Sequence, residues 1–214
     1  MSAIIATEAD ISAGLAALVR QDPRLSAVLA IAGDVPLRRR AGGIEGLMRI
    51  IVGQQVSTAS AEAIWTRLRA SYDPFHHTVL LRARAPKLQR IGMSAAKIKT
   101  LRAIATAIDS GAIDFDALLD MPADDAHAVL TAVHGIGPWT ADLYLLSCLG
   151  HADAWPAGDL ALQEAARLAF GLARRPTVRE MGPLAEAWRP WRAVAARLLW
   201  SYYRVLKKRE AVPV

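Results

Sequence analysis

Apolar positions recur along this chain at the three- and four-residue spacing of helices that pack by one face. Ala16, Leu18 and Val19, then Leu25, Val28 and Leu29, mark a short helical pair broken at Asp22-Pro23, where proline suits a helix start. Residues 35–43 read as a linker containing Arg38, Arg39 and Arg40. Leu47, Ile50 and Ile51 open another stripe, which stops near Gly53 to Ser57 and resumes at Ala61, Ile64, Trp65 and Leu68. Further helices are predicted over residues 94–108, 124–133, 138–149, 159–170 and 190 to about 206, the last burying Val194, Ala195, Leu198 and Leu199. No run alternates long enough to build a sheet, and no fixed-period repeat is present. The pattern predicts an all-α fold.

Composition narrows the class. With 214 residues, 53% of them hydrophobic, the chain has material for a buried core, as one domain or two small lobes. The net charge of +6 and pI near 9.9 favour polyanionic partners without deciding among them. The first 14 residues contain Glu8 and Asp10 and lack a basic start before an apolar run, so they do not read as a secretory signal. No segment approaches the ~20 apolar residues that span a bilayer, so no membrane partner is expected. Cys148 stands alone and can form no internal disulfide, which fits a reducing cytoplasm.

The richest chemistry lies in the run His134-Gly135-Ile136-Gly137-Pro138-Trp139-Thr140-Ala141-Asp142. Two glycines permit a tight turn, and Pro138 suits the first position of a new helix, where its missing N–H would have had no partner. Free amides beside a helix N-terminus form an anion site, and on a basic protein the extended anion that fits is a nucleic-acid backbone. Asp159 follows at the start of the next predicted helix.

This run resembles the helix-hairpin-helix of the DNA glycosylase superfamily, and its neighbours extend the likeness from about Ile44 to Tyr203. Asp159, in Pro156-Ala157-Gly158-Asp159-Leu160, stands where the family has its catalytic aspartate. Residues 50–57, with Gln54 and Gln55, look like the segment that enters the minor groove, and Gly92-Met93-Ser94 with Lys97 looks like the family's link into a helix. Trp188-Arg189-Pro190-Trp191-Arg192 and Trp200 are similar to the tail of the 3-methyladenine II branch, and a compact form of it lacking the β-rich domain that begins the bacterial enzyme is expected.

The resemblance implies two helical lobes with the active-site cleft between them: residues 44–150 as a central lobe carrying the hairpin, and residues 1–43 and 151–214 as a terminal lobe. It implies a monofunctional glycosylase that flips alkylated purines of the 3-methyladenine and 7-methylguanine type out of duplex DNA. Asp159 would assist hydrolysis of the glycosidic bond. Trp139, Trp200 and, one helical step displaced, Tyr144 would line the base pocket. Gln54, Gln55, Lys97, His134, Gly135, Ile136, Gly137 and Thr140 would meet DNA, with Gln55 preferred for the gap left by the base. Members that also cut the strand carry a lysine where this chain has Trp139, so no lyase step is expected. One cysteine cannot hold an iron–sulfur cluster, and no cofactor is required. The backbone carbonyls of Thr131, Val133 and Ile136 are the expected ligands of a structural Na+ or K+. The protein is expected to be a monomer in the cytoplasm, nucleoid-associated if bacterial.

Plainer readings stand beside these. Asp159 also suits a helix N-cap, and the two roles are compatible. Trp65, Trp188 and Trp191 read as core, Arg38 to Arg40 as solvated charge, and His134 as structural. His76-His77 lacks a metal-ligand pattern. A non-catalytic DNA-binding module would keep the glycines and need no Asp159. A glycosylase for deaminated or oxidised bases would need a polar reader of the base edge, and no residue here identifies itself as one.

Overall fold

Several helix starts in this chain fall where a side chain satisfies free backbone amides. In the computed structural model, which describes residues 3–207, Thr7 and Asp10 cap α1 (Glu8–Gln21) reciprocally. After Asp22-Pro23 comes α2 (Arg24–Ala32), then residues 33–42 without helix. α3 (Gly43–Gly53) and α4 (Thr58–Ser71) flank a short turn, and Ser57 caps α4 by accepting from the Ser60 amide. α5 (His77–Leu81) and α6 (Ala85–Ile91) are short; Ser94 caps α7 (Ala95–Asp109), and Asp114 caps α8 (Phe115–Asp120). The hairpin joins α9 (Ala123–Thr131) to α10 (Pro138–Tyr144), and α10 runs into a π-helical turn, Leu145–Leu149. α11 (Leu160–Ala169), α12 (Val178–Glu186) and α13 (Arg192–Lys207) complete the described chain. Among the described residues there is no strand, only an isolated bridge between Ile4 and His151, so the fold is all-α as the pattern predicts.

The sequence pattern misses α5, α6, α8 and α12. These helices of five to nine residues are too short to display a period, and α12 contains Pro183. The helix predicted over 138–149 winds wider in its second half. There the Leu145 carbonyl accepts from the amides of both Gly150 and His151, at 2.7 and 2.9 Å.

The chain forms two compact units. One is the chain up to Arg39 together with the chain from Leu145 on; the other runs from Arg40 to Tyr144. The π turn belongs with the first of these units. Arg197 on α13 donates to the Leu146 carbonyl at 2.9 Å, and Arg39 donates to the carbonyls of Ile5 and Cys148.

In the first unit α13 is the spine, packed against α1, α2 and α11. Leu18, Leu25, Val194, Leu198 and Leu199 are fully buried there. Gly14 permits the approach of α1, since a Cβ at that position would lie 2.8 Å from Val194 Cγ2. Trp188, fully buried, donates its indole N–H to Asp22 at 3.0 Å. In the second unit α7 packs on α5 and α6, α3 on α4, and α10 on both α3 and α9. Leu47, Met48, Leu101, Ile104 and Leu130 fill its interior. No helix among the described residues is long and apolar enough to cross a membrane.

Candidate active site

The hairpin is a backbone device. α9 closes on Ala132 and Val133, and the Ile136 amide donates back to the Val133 carbonyl at 3.0 Å. Gly135 has φ 87°, and a Cβ there would stand 1.9 Å from Thr100 Oγ1 on α7. Only glycine fits such a position. Gly137 differs, because nothing lies within 4 Å of a Cβ built on it. His134, Gly135, Gly137 and Pro138 are exposed, while Ile136 is buried and anchors the loop. Exposed glycines just before α10 leave the amides there open to close approach by an anion.

His127, which no sequence signal marked, ties α9 to α10. Its Nε2 lies 3.7 Å from Asp142 Oδ1. Burial holds its pKa below the usual histidine range, against the opposing pulls of the Pro138 carbonyl and Asp124.

The turn after α3 sits in the same unit. Gln55 is exposed with φ 55°, and Gln54, half-buried, donates from Nε2 to Thr140 Oγ1 on α10 at 2.7 Å. Thr140 is buried, so its hydroxyl serves this turn. The ammonium of Lys97 donates to the carbonyls of Val52 and Gln54, both at 2.8 Å, and burial lowers its pKa. The structure therefore turns Lys97 inward onto backbone, leaving Gln55 as the glutamine that α3 presents to solvent. Gly92, at φ 111°, closes α6 as a left-handed cap, with Arg67 donating to the Ile91 carbonyl at 2.8 Å. Trp139 is half-buried. Tyr144 is fully buried beside Phe115, ring centroids 5.6 Å apart, and so occupies the interior of this unit instead of an exposed pocket face.

In the other unit Asp159 is the N-cap of α11, as its neighbours suggest: its Oδ1 accepts from the Leu162 amide at 2.8 Å. The same oxygen accepts from the Trp200 indole on α13 at 3.1 Å. Both Asp159 and Trp200 are half-buried. The loop before Asp159 is fixed by Gln163, whose Nε2 donates to the Ala157 carbonyl at 2.8 Å, and by Trp155, whose indole donates to the Met181 carbonyl at 3.0 Å. Neither residue drew notice in the sequence, since a buried glutamine and a core tryptophan look like many others.

The tryptophan-rich tail is scaffolding for this loop. Arg192 donates to Asp153 from Nε at 2.7 Å and Nη2 at 3.0 Å, Arg189 pairs with the same carboxylate, and the Ala193 amide donates to the Ala152 carbonyl at 2.8 Å. Trp65 and Trp188 are buried, and Trp191 is half-buried.

No cluster of three or more His, Cys, Asp or Glu side chains able to hold a metal occurs among the described residues. The carbonyls of Thr131, Val133 and Ile136 remain chemically suited to a monovalent cation. Thr131 ends α9, where helix carbonyls lose their partners, and the Val133 carbonyl keeps a second lone pair beside the Ile136 amide.

Residues 48–191 match the family described as HhH-GPD superfamily base excision DNA repair protein. The chain is 32% identical over 191 residues to the probable bifunctional transcriptional activator/DNA repair enzyme AlkA of Mycobacterium tuberculosis, an alignment covering 84% of this chain and 37% of that protein. It is 31% identical over 161 residues to DNA-3-methyladenine glycosylase 1 of Schizosaccharomyces pombe, covering 73% and 71%. The crystal structure of a DNA-3-methyladenine glycosidase from Bacillus halodurans superposes with a TM-score of 0.81 at 30% identity, covering 91% of this chain and 90% of that one. Schizosaccharomyces pombe Mag1 in complex with abasic DNA superposes with a TM-score of 0.77 at 25% identity, covering 89% and 95%. The chain spans little more than a third, 37%, of the length of the first of these relatives. A hairpin of glycines built for close backbone approach, an aspartate capping the helix that follows and a family match across most of the chain converge, and the chain belongs to the HhH-GPD superfamily of base excision DNA repair proteins.

Proposed function

We propose that the protein is a monofunctional DNA glycosylase that hydrolyses the N-glycosidic bond of alkylated purines in duplex DNA. The observation that carries this reading is the Asp159 carboxylate, fixed through one oxygen by the Leu162 amide and the Trp200 indole. A mere helix cap requires the first bond and has no use for the second.

The hairpin amides around Gly135 and Gly137 grip the phosphate backbone, and exposed Gln55 enters the stack as the damaged nucleotide leaves it. Extrusion costs a few kcal/mol, least for a damaged base. Alkylation at purine N3 or N7 gives a cationic ring, which stacks on an indole face such as that of Trp200 beside Asp159, with a cation–π gain of about 1–2 kcal/mol when desolvated. The same charge makes the base a good leaving group. As the C1′–N bond breaks, its electron pair returns to the base and positive charge develops on the sugar. Asp159 stabilises that charge and takes a proton from the water whose oxygen bonds to C1′. One carboxylate suffices because a cationic base needs little protonation, unlike the sugar leaving groups of ordinary glycosidases. Trp139 in place of a lysine leaves no Schiff-base nucleophile there, so the product is an abasic site in an intact strand.

A Na+ or K+ on the carbonyls of Thr131, Val133 and Ile136 would add positive charge beside the phosphate. The partner is damaged double-stranded DNA, and the protein acts as a monomer in the cytoplasm. The test is base release from duplexes carrying 3-methyladenine, 7-methylguanine, uracil, hypoxanthine or 8-oxoguanine. Release of the alkylated purines from unbroken strands is expected. Release of neutral lesions alone moves the substrate to deaminated or oxidised bases, and duplex binding with no release leaves a binding module.

A further inference from the structure

Three side-chain groups in the Arg40–Tyr144 unit form a chain of contacts from α7 to the hairpin helix. Lys97 spans the turn after α3 by donating to the carbonyls of Val52 and Gln54, both at 2.8 Å. Gln54 passes the connection on through its side chain, which donates to Thr140 Oγ1 at 2.7 Å, and Thr140 is only 2% exposed on α10. Between Gln54 and α4 stands Gln55, exposed and at φ 55°, a backbone shape that side chains other than glycine rarely hold unaided. An ammonium has three N–H donors, and two of these are spent on backbone.

We propose that Lys97 is a positioning residue: it holds the turn in the shape that presents Gln55 and, through Gln54 and Thr140, sets that turn in register with the phosphate-gripping hairpin. The inference rests on the glycosylase reading above for what Gln55 does. Lys97 acts on DNA through Gln55 and makes no phosphate contact of its own.

The test compares wild type with Lys97→Met, Lys97→Arg, Gln55→Ala and the double variant Lys97→Met/Gln55→Ala, each checked by melting. One readout is the fluorescence of 2-aminopurine opposite a tetrahydrofuran abasic analogue, which brightens when its neighbours unstack. The second is single-turnover release of 7-methylguanine, and the third is the salt dependence of duplex Kd. Lys97→Met and Gln55→Ala should each lower probe brightening and release by roughly tenfold, the scale of a small misplacement. The double variant should fall within about twofold of Gln55→Ala, because residues acting through one another are not additive. Lys97→Arg, which can still donate to two carbonyls, should recover most of the signal. The salt slope should stay as in wild type, whereas loss of one phosphate contact would lower it by ~0.9. Losses that multiply in the double variant, a reduced salt slope or full brightening by Lys97→Met each overturn the inference. If wild type brightens the probe but releases no base, the enzyme reading fails while the probe still decides the role of Lys97. Failure to bind duplex overturns both.

Discussion

The hairpin unit and the unit carrying Asp159 prepare the groups proposed to act on DNA in opposite ways. In the hairpin unit the proposed working groups are peptide amides and a turn, and side chains serve as braces: Thr100 leaves space for glycine alone at 135, Lys97 holds two carbonyls, and Arg67 holds another. In the other unit the proposed working group is one carboxylate, and its support is spread over Gln163, Trp155, Trp200 and the Asp153–Arg192 pair. A backbone site should be fragile where it excludes a Cβ and tolerant elsewhere. A carboxylate site should fail at one position and weaken gradually around it.

The sharpest way to break this contrast lies in the two hairpin glycines. Gly135→Ala combines positive φ with a 1.9 Å overlap on Thr100 Oγ1 and should lose about 3 kcal/mol in urea unfolding. Gly137→Ala meets nothing within 4 Å and should lose less than about 1 kcal/mol while weakening DNA binding. Equal destabilisation would end the claim that the two glycines have different tasks.

On the carboxylate side, Arg192→Met removes the hydrogen bonds from the Arg192 guanidinium to Asp153 but leaves Arg189 beside it. A cost of about 2 kcal/mol is expected, below that of a fully orphaned buried charge. Adding Asp153→Asn should recover part of it, which a denaturation cycle over both sites would measure. Trp200→Phe keeps an aromatic face and removes the indole donor to Asp159. Single-turnover release should slow by roughly tenfold, the equivalent of one charged hydrogen bond of about 1.5 kcal/mol, with melting little changed.

A smaller effect than at Arg192 concerns Asp22, held at a pKa of about 2 first by the Arg24 guanidinium and also by the Trp188 indole. A depressed carboxylate contributes stability above its unfolded value of ~3.9, and this is lost as pH falls toward about 2. Asp22→Asn should therefore lower stability by about 1 kcal/mol at neutral pH and flatten its fall between those two values.

Elements built on long stripes or on turn chemistry were legible in the chain. α3, α4, α7 and α13 show their apolar faces, and Asp22-Pro23, Gly135 to Pro138 and Asp159 announce breaks and starts by backbone constraint alone. Helices of a few residues were not, nor was the π turn, which depends on Arg197 and Arg39, residues far from it in sequence. Pairings across such distances leave no local pattern, and so the inward turn of Lys97, the burial of Tyr144 and the role of Gln163 emerge only with the fold. The difference between the two glutamines emerges in the same way, with the Gln54 side chain tied to Thr140 and Gln55 exposed.

The central claim is that Asp159 does chemistry beyond capping α11, and the Asp159→Asn variant separates the two roles because asparagine caps a helix as well as aspartate. Single-turnover release of 7-methylguanine and thermal melting should be measured on the same preparation. The account predicts a melting temperature within a few degrees of wild type and a rate lower by about a thousandfold. A variant that melts normally and still releases base within about tenfold of the wild-type rate would contradict it.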